Sequence, residues 1–477
     1  MKIIKNYFYS AGYQILVMIV PLLTTPYVNR VLGPYGIGIY TYTNTIIQYF
    51  ILFGGLGLAI YGSRQIAYVR NNKDKMAITF WEIQLVRTIS ILIATVLFLV
   101  YLIIFAKYKY FMLLQFINLF AVAFDISWFF QGIENFKITF IRNTLIKICF
   151  TLLIFVLIRH HDQIGLYIFI YGISTFIGNI TLWPELKRII NVKIKISWLK
   201  PWKHVMPTIS LFVPEVAVQI YQTVNKTMLG AIVNTNSAGF YYDSDIIIKT
   251  ILGLITALSS VMLPNVSNKF ARGEMQSVKR MTYFSFNMAT ALIFALMFGI
   301  SSIALNFAPL FFGKTFAIVG KAMILESPVI YFAGLSSILG AQYLIPTNQV
   351  KEYTISLTFG AVISIFLNVI LIPMFHLYGA VLSTDFAEAA VLIYQIYIIK
   401  RTNQLEISIL FKGTLKYLII GAIMFSIVFY LNLHLGSSLI ALIFEMIFGI
   451  LIYALLNIIL KTKISNVGID FLKKLIK

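Results

Sequence analysis

Long apolar runs, broken by short polar clusters, divide the chain from end to end. They fall near residues 7–31, 37–61, 79–105, 111–131, 139–158, 164–186, 205–230, 238–263, 281–306, 322–346, 353–373, 378–399, 413–433 and 437–460. At about 1.5 Å per helical residue, each is long enough to cross a hydrocarbon core about 30 Å thick. The pattern predicts an all-α integral membrane protein with about fourteen transmembrane helices. Loops are short, and the longest, about 187–204, mixes Lys, Trp and Ile in the manner of a segment lying on the membrane surface. It divides the chain after six helices, and a repeat follows from there: Leu32-Gly33 with Gly38-Ile39-Tyr40 matches Leu229-Gly230 with Gly239-Phe240-Tyr241. The second of these matches, in the same register, sets Asn44 onto Asp245 and Gln48 onto Lys249. The expected organisation is two pseudo-symmetric six-helix lobes and a C-terminal helix pair. The N-lobe is 1–190, a cytoplasmic interfacial linker 191–204, the C-lobe 205–400, and 401–477 carry helices 13 and 14 with a cytoplasmic tail.

Composition sharpens this picture. The chain is 60% hydrophobic and only 12% charged, with a net charge of +21. Nucleic-acid binders gather their cations on a solvated domain, whereas these punctuate apolar segments. With the N-terminus inside, roughly 26 cations fall on the cytoplasmic side, against Arg30, Lys107, Lys109, Arg159, Lys314 and Lys321 opposite. Both termini are therefore expected in the cytoplasm. Lys2 and Lys5 precede an apolar run too long for a signal-peptide core, which reads as a retained first helix. A lone Cys149 excludes an intramolecular disulfide, and His160-His161, in an outer loop, reads as a solvated pair. No metal and no cofactor is expected.

Charges inside the spans carry the candidate chemistry. Asp125–Lys147 reads as a charged helical hairpin turning near Glu134. Counting residues from that turn sets Asp125 and Arg142 at similar depth, where they could pair, and Lys147 about 19 Å from the turn. Arg87, Lys226 and Lys249 are the other deep cations. Ionisable groups so placed face a bundle interior or a wet cavity. Glu215, Gln219, Gln222 and Lys226 recur at i, i+4, i+7 and i+11, one face of a helix. Asp245 and Lys249 are one turn apart, and Asp385 and Glu388 share a face. Thr41, Asn44 and Gln48 form an uncharged stripe suited to sugar hydroxyls or to helix packing. Arg30 and Lys416, near helix ends, read as interfacial.

Several of these segments follow a known pattern: Pro21-Leu-Leu-Thr-Thr-Pro26-Tyr27, Arg30-Val-Leu-Gly33, Tyr61-Gly-Ser-Arg64, Asp125-x-x-Trp128-Phe-Phe-Gln-Gly132-x-Glu134-x-Phe-Lys137 and Arg142-Asn143 with Lys147. In the second half it continues through Leu344-Ile-Pro346, Asn348-Gln349, Leu371-Ile-Pro373 and Gly379-Ala380. The chain resembles Wzx-type polysaccharide flippases, of the superfamily (MOP) that includes the MATE exporters. The resemblance implies two lobes around a central cavity, alternating access, and transfer of an undecaprenyl-pyrophosphate-linked oligosaccharide to the outer leaflet of a bacterial cytoplasmic membrane. It also implies possible partners among polymerases and glycosyltransferases of the same pathway. Asn225-Lys226-Thr227 departs from the family, where many members carry an acid, and Phe375-His376 replaces a frequent Phe-Gly.

A pyrophosphate crossing a low-dielectric barrier needs cations already held in place. Arg87, Arg142, Lys147, Lys226 and Lys249 are the expected substrate-binding cations. Glu215, Gln219, Gln222, Asp125, Asp245, Asp385, Glu388, Asn44 and Gln48 are expected to line the cavity or to couple transport to H+ or Na+. Three alternatives remain at this point. A cationic-drug exporter needs cavity acids rather than cations. A membrane glycosyltransferase or polymerase needs a sizeable loop with clustered acids or histidines. A flippase of the cell-wall lipid precursor shares fold and helix count.

Overall fold

The computed structural model describes residues 2–191, 195–403 and 405–466, and these are almost entirely helical. The contacts divide the chain into two compact units, 1–230 and 231–477. The first contains α1 (Lys2–Gly55), α2 (Leu58–Val69), α3 (Lys73–Ile104), α4 (Lys109–Ala123), α5 (Ser127–Gly132), α6 (Phe136–Leu157), α7 (Ile164–Ile180), α8 (Trp183–Ile189) and α9 (Val205–Met228). The second contains α10 (Thr235–Ala271), α11 (Met275–Phe312), α12 (Ala317–Glu326), α13 (Pro328–Ser337), α14 (Val350–Phe375), α15 (Leu377–Thr402), α16 (Ile407–Leu410), α17 (Thr414–Leu435) and α18 (Leu439–Ile459). The unit boundary places α9, and with it Lys226, in the same unit as α6 and Lys147.

Among the described residues, eleven helices are long and apolar enough to span a membrane, or twelve if the bent pair Lys314–Glu326 and Pro328–Leu344 is one span. The expectation was about fourteen. The expected window 7–31 and most of the window 37–61, which continues into α2, run together in α1, where Gly33 at φ 67° and ψ 178° is the non-helical residue. That left-handed conformation suits glycine, and Pro34 follows it. The repeat register sets Gly33 onto Asn234, and there too the helix breaks: α9 gives way to a π-turn over Leu229–Val233, and Asn234 caps α10 through Ser237 N–H at 2.9 Å. This second break falls at the boundary between the two units.

The core of the first unit explains the hairpin motif. Phe80 stacks on Trp128 with centroids 5.4 Å apart, and Phe129 and Phe130 are fully buried beside them. Gly62 and Gly132 let α2 and α5 approach: a Cβ on Gly132 would stand 2.7 Å from Ser63 O, and one on Gly62 would stand 2.5 Å from Trp128. Glu134, at φ 57° in the turn, pairs with Arg70 at 2.6 Å. Much of that motif is packing.

Candidate substrate-translocation site

In the first unit, the hairpin's leading arm is not one helix. α4 stops at Ala123, and Asp125 stands in the break, its Oδ1 accepting the Ser127 N–H at 2.9 Å to start α5. The buried Arg87 of α3 reaches it there, Nη1 donating to Asp125 O at 2.8 Å and Nη2 lying 3.5 Å from Oδ2. The expected Asp125–Arg142 pair is therefore corrected to Asp125–Arg87. Counting depth from the turn assumed two continuous arms and left out α3, which supplies the cation. Arg142 of α6 instead makes a long contact, 3.5 Å, with Asn179 Oδ1 of α7, whose Nδ2 donates to Ala121 O at 2.8 Å.

Lys147 lies further along α6 and is half-buried, as is Lys226 near the end of α9. On α9, Glu215, Gln219 and Lys226 are half-buried and Gln222 is exposed, while Thr208, Thr223 and Asn225 on the rest of the helix are buried. The polar stripe is thus partly covered, and Met206, Ile209 and Val218 are exposed apolar side chains of the helix. α9 packs on α1 through Phe212 against Phe53 (5.7 Å) and the Thr227 hydroxyl against Tyr49 OH (3.1 Å). At Gly230 any Cβ would run into the Tyr42 ring. On α1, Thr41 Oγ1 and Asn44 Oδ1 are enclosed with no hydrogen-bond partner among the described residues, and Gln48 is half-buried.

Sequence reasoning missed a clasp on the linker. Glu82 of α3 is 1% exposed. Its Oε1 accepts the Lys200 N–H at 2.8 Å, and its Oε2 meets Lys203 Nζ at 2.7 Å and His204 Nε2 at 3.0 Å. A carboxylate can only accept, so Nε2 carries the His204 proton and Nδ1 accepts from Tyr61 OH at 2.7 Å. Burial pushes the His204 imidazole below its ordinary value, with Glu82 opposing. The only sequence signal was an acid inside an apolar window, near a linker rich in cations.

The second unit gathers acids. Lys249 Nζ and Asp245 are 3.0 Å apart, the pair its spacing proposed. Ser244 donates to Glu326 Oε2, and Asp245, Asp385 and Lys249 all act electrostatically on Glu326. Glu388 acts on both Lys249 and Asp385, and Asp243 is fully buried one turn before Ile247. Glu326 Oε1 and Asp385 Oδ1 have no hydrogen-bond partner among the described residues. Glu326, at the end of α12, was missed because no helical spacing links it to the others; α10, α12 and α15 bring them together. The first unit thus holds a buried Arg87 and half-buried Arg142, Lys147 and Lys226 within its helices, and the second unit a set of carboxyls around Lys249.

A multi-pass helical bundle with charged side chains inside its helices is the architecture of a membrane protein whose buried charges mark a substrate or ion pathway. The chain belongs to the family described as polysaccharide biosynthesis protein, whose model matches residues 3–270. Similar proteins include a putative O-antigen transporter of Escherichia coli (strain K12), 22% identical over 391 residues, covering 80% of this chain and 92% of that one. Another is the lipid II flippase MurJ of Bacillus subtilis (strain 168), 28% identical over 176 residues, 36% of this chain and 32% of that one. Among solved structures, a lipid II flippase MurJ in an inward closed conformation superposes with TM-score 0.75 at 15% identity, covering 99% of this chain and 100% of the other. An inward-facing multidrug resistance MATE family transporter of the MOP superfamily gives 0.63 at 13%, covering 84% and 96%. These relatives are transporters and flippases, and the chain has their fold.

Proposed function

We propose that this protein is a flippase that moves undecaprenyl-pyrophosphate-linked oligosaccharide repeat units across the bacterial cytoplasmic membrane, by alternating access, for cell-surface polysaccharide synthesis. The observation that carries the reading is the set of cations within helices of one unit, the buried Arg87 and the half-buried Arg142, Lys147 and Lys226. A cation in a membrane span costs about 2.5–3.5 kcal/mol on insertion scales, and an anionic substrate that uses it offsets that cost. Lys147 and Lys226 are the residues assigned to the pyrophosphate: both are half-buried lysines within long helices of the first unit, α6 and α9. The polar stripe on α9, half-buried at Glu215, Gln219 and Lys226 and exposed at Gln222, with half-buried Asn44 and Gln48 on α1, supplies donors and acceptors of the kind sugar hydroxyls need.

Asp245, Asp385, Glu388 and Glu326 supply carboxyls for a coupling ion, H+ or Na+. Under this reading both termini are cytoplasmic, and the polymerase and glycosyltransferases of the same pathway are the natural partners. The similarity to lipid II flippases supports a second reading, in which the cargo is the cell-wall lipid precursor. Both cargoes carry pyrophosphate, so the sugar decides. Transport by the reconstituted protein of defined pyrophosphate-linked oligosaccharides, the cell-wall precursor and a cationic dye, under imposed pH or sodium gradients, separates the cases. Movement of the dye alone would overturn the reading.

A further inference from the structure

The helix pair α17–α18 lies outside the expected repeat, and it encloses a carboxyl group with no role so far. Glu445, six residues past the start of α18, is 0% exposed. Asn432 of α17 donates from Nδ2 to Glu445 Oε2 at 2.7 Å, and its backbone carbonyl accepts from Asn306 Nδ2 of α11. Three helices of the second unit meet at this node. Glu445 Oε1 and Asn432 Oδ1 are both enclosed and have no hydrogen-bond partner among the described residues.

Among the described residues no basic side chain pairs with the carboxyl, and Lys314, in the turn after α11, lies eight residues past Asn306. α18 has no Lys or Arg. Lys416 of α17 lies sixteen residues from Asn432, about 24 Å along the helix, and donates to Leu460 O. Lys279 and Arg280 of α11 are farther still from Asn306 along their helix. His434 and Tyr430, each two residues from Asn432 on α17, are exposed, with His434 Nδ1 against Tyr430 O. A buried charge is retained only when paired or neutralised. With the carboxyl ionised, the reverse carboxamide orientation would set two acceptors face to face, so it is Nδ2 that meets Oε2. Two acceptor oxygens, on side chains already bonded to each other, are left open.

We infer that the Glu445–Asn432 node binds a monovalent cation, either a proton on Glu445 Oε1 shared with Asn432 Oδ1 or a sodium ion held by both oxygens. The bound cation ties α17 and α18 to α11 at the end where residues 436–438 join them, the outer end under the expected topology. Release loosens that end. The inference is independent of the cargo.

The test is thermal unfolding of the purified full chain in detergent, from about pH 5 to 9, in choline, potassium or sodium chloride. A ligand bound only by the folded state raises its melting temperature with concentration. Other carboxyls titrate in parent and variant alike, so the difference between them is read. If a proton is bound, the parent loses stability as pH rises in choline more steeply than Glu445→Gln, whose amide supplies the donor at every pH. If sodium is bound, sodium stabilises the parent at high pH where potassium and choline do not, and Glu445→Gln abolishes this. Superimposable pH and sodium profiles for parent and Glu445→Gln overturn the inference. Should that variant not accumulate, Asn432→Leu is measured in the same way, and an unchanged profile there overturns it equally. Infrared difference spectra give a second readout, a protonated-carboxyl band in the proton case that is missing from the variant.

Discussion

Glu82→Ala should release the linker from the first unit without unfolding it. The substitution removes acceptors from the Lys200 N–H, from His204 Nε2 and from Lys203 Nζ. Hydrogen bonds to charged groups contribute about 1.5–3 kcal/mol each. Lys203 is half-exposed and can turn to water, so its contact adds at most about 1 kcal/mol. Part of the loss is recovered where water reaches the freed donors, leaving a net local cost of roughly 2–4 kcal/mol. At about 1.4 kcal/mol per factor of ten, amide exchange over 200–208 should speed by about 30- to 700-fold, while α3 and α4 stay protected. Hydrogen exchange read by mass spectrometry is the assay. Acceleration below about threefold, or equal acceleration throughout the unit, would refute the clasp. The linkage has a definite sign. Burial sets the folded His204 below its ordinary value of 6.5, so the unfolded chain binds the extra proton and the contribution is lost as pH falls below about 6.5. His204→Gln should remove that dependence.

Arg87 and Asp125 should show coupling of about 0.5–3 kcal/mol in a double-mutant cycle, with Asp125→Ala alone costing more than the double replacement because it strands a buried cation. Additive losses would mean the pair contributes nothing as a pair. Gly132→Ala should cost about 1–3 kcal/mol by forcing α5 away from Ser63 and Ile66, seen as a lowered melting temperature. Cysteines at Asn72 and Asn191 should react with an impermeant thiol reagent only from the cytoplasm, and one at Asp162 only from outside. Labelling of Asn191 from outside would reverse the orientation drawn from the cations.

The transmembrane class was legible because spanning length and apolar content are local properties of the chain. The Asp245–Lys249 pair was legible for the same reason, being one helical turn apart. What escaped were contacts between helices distant in sequence: Arg87 with Asp125, Glu82 with His204, and Glu326 with Ser244. Residue counting gave depth along one arm but not which neighbour stands beside it. It also took the hairpin as two straight arms, whereas Asp125 starts a new helix. The Trp128 to Gly132 stretch, an uncharged part of the hairpin read for its flanking charges, is held largely by aromatic packing against Phe80 and by the close approach at Gly62.

The most direct measurement of the cationic mechanism is transport of a defined pyrophosphate-linked oligosaccharide by Lys226→Gln and Lys147→Gln proteins in vesicles, alongside their melting temperatures. Glutamine keeps length and polarity but removes the charge, and the loss of one charge-assisted contact of about 1.5–3 kcal/mol corresponds to roughly a 10- to 150-fold fall in transport. Lys226→Arg should retain part of the activity. Both glutamine variants should melt close to the parent while transport collapses. Normal transport by both, at normal abundance, would contradict the assignment of these lysines to the substrate.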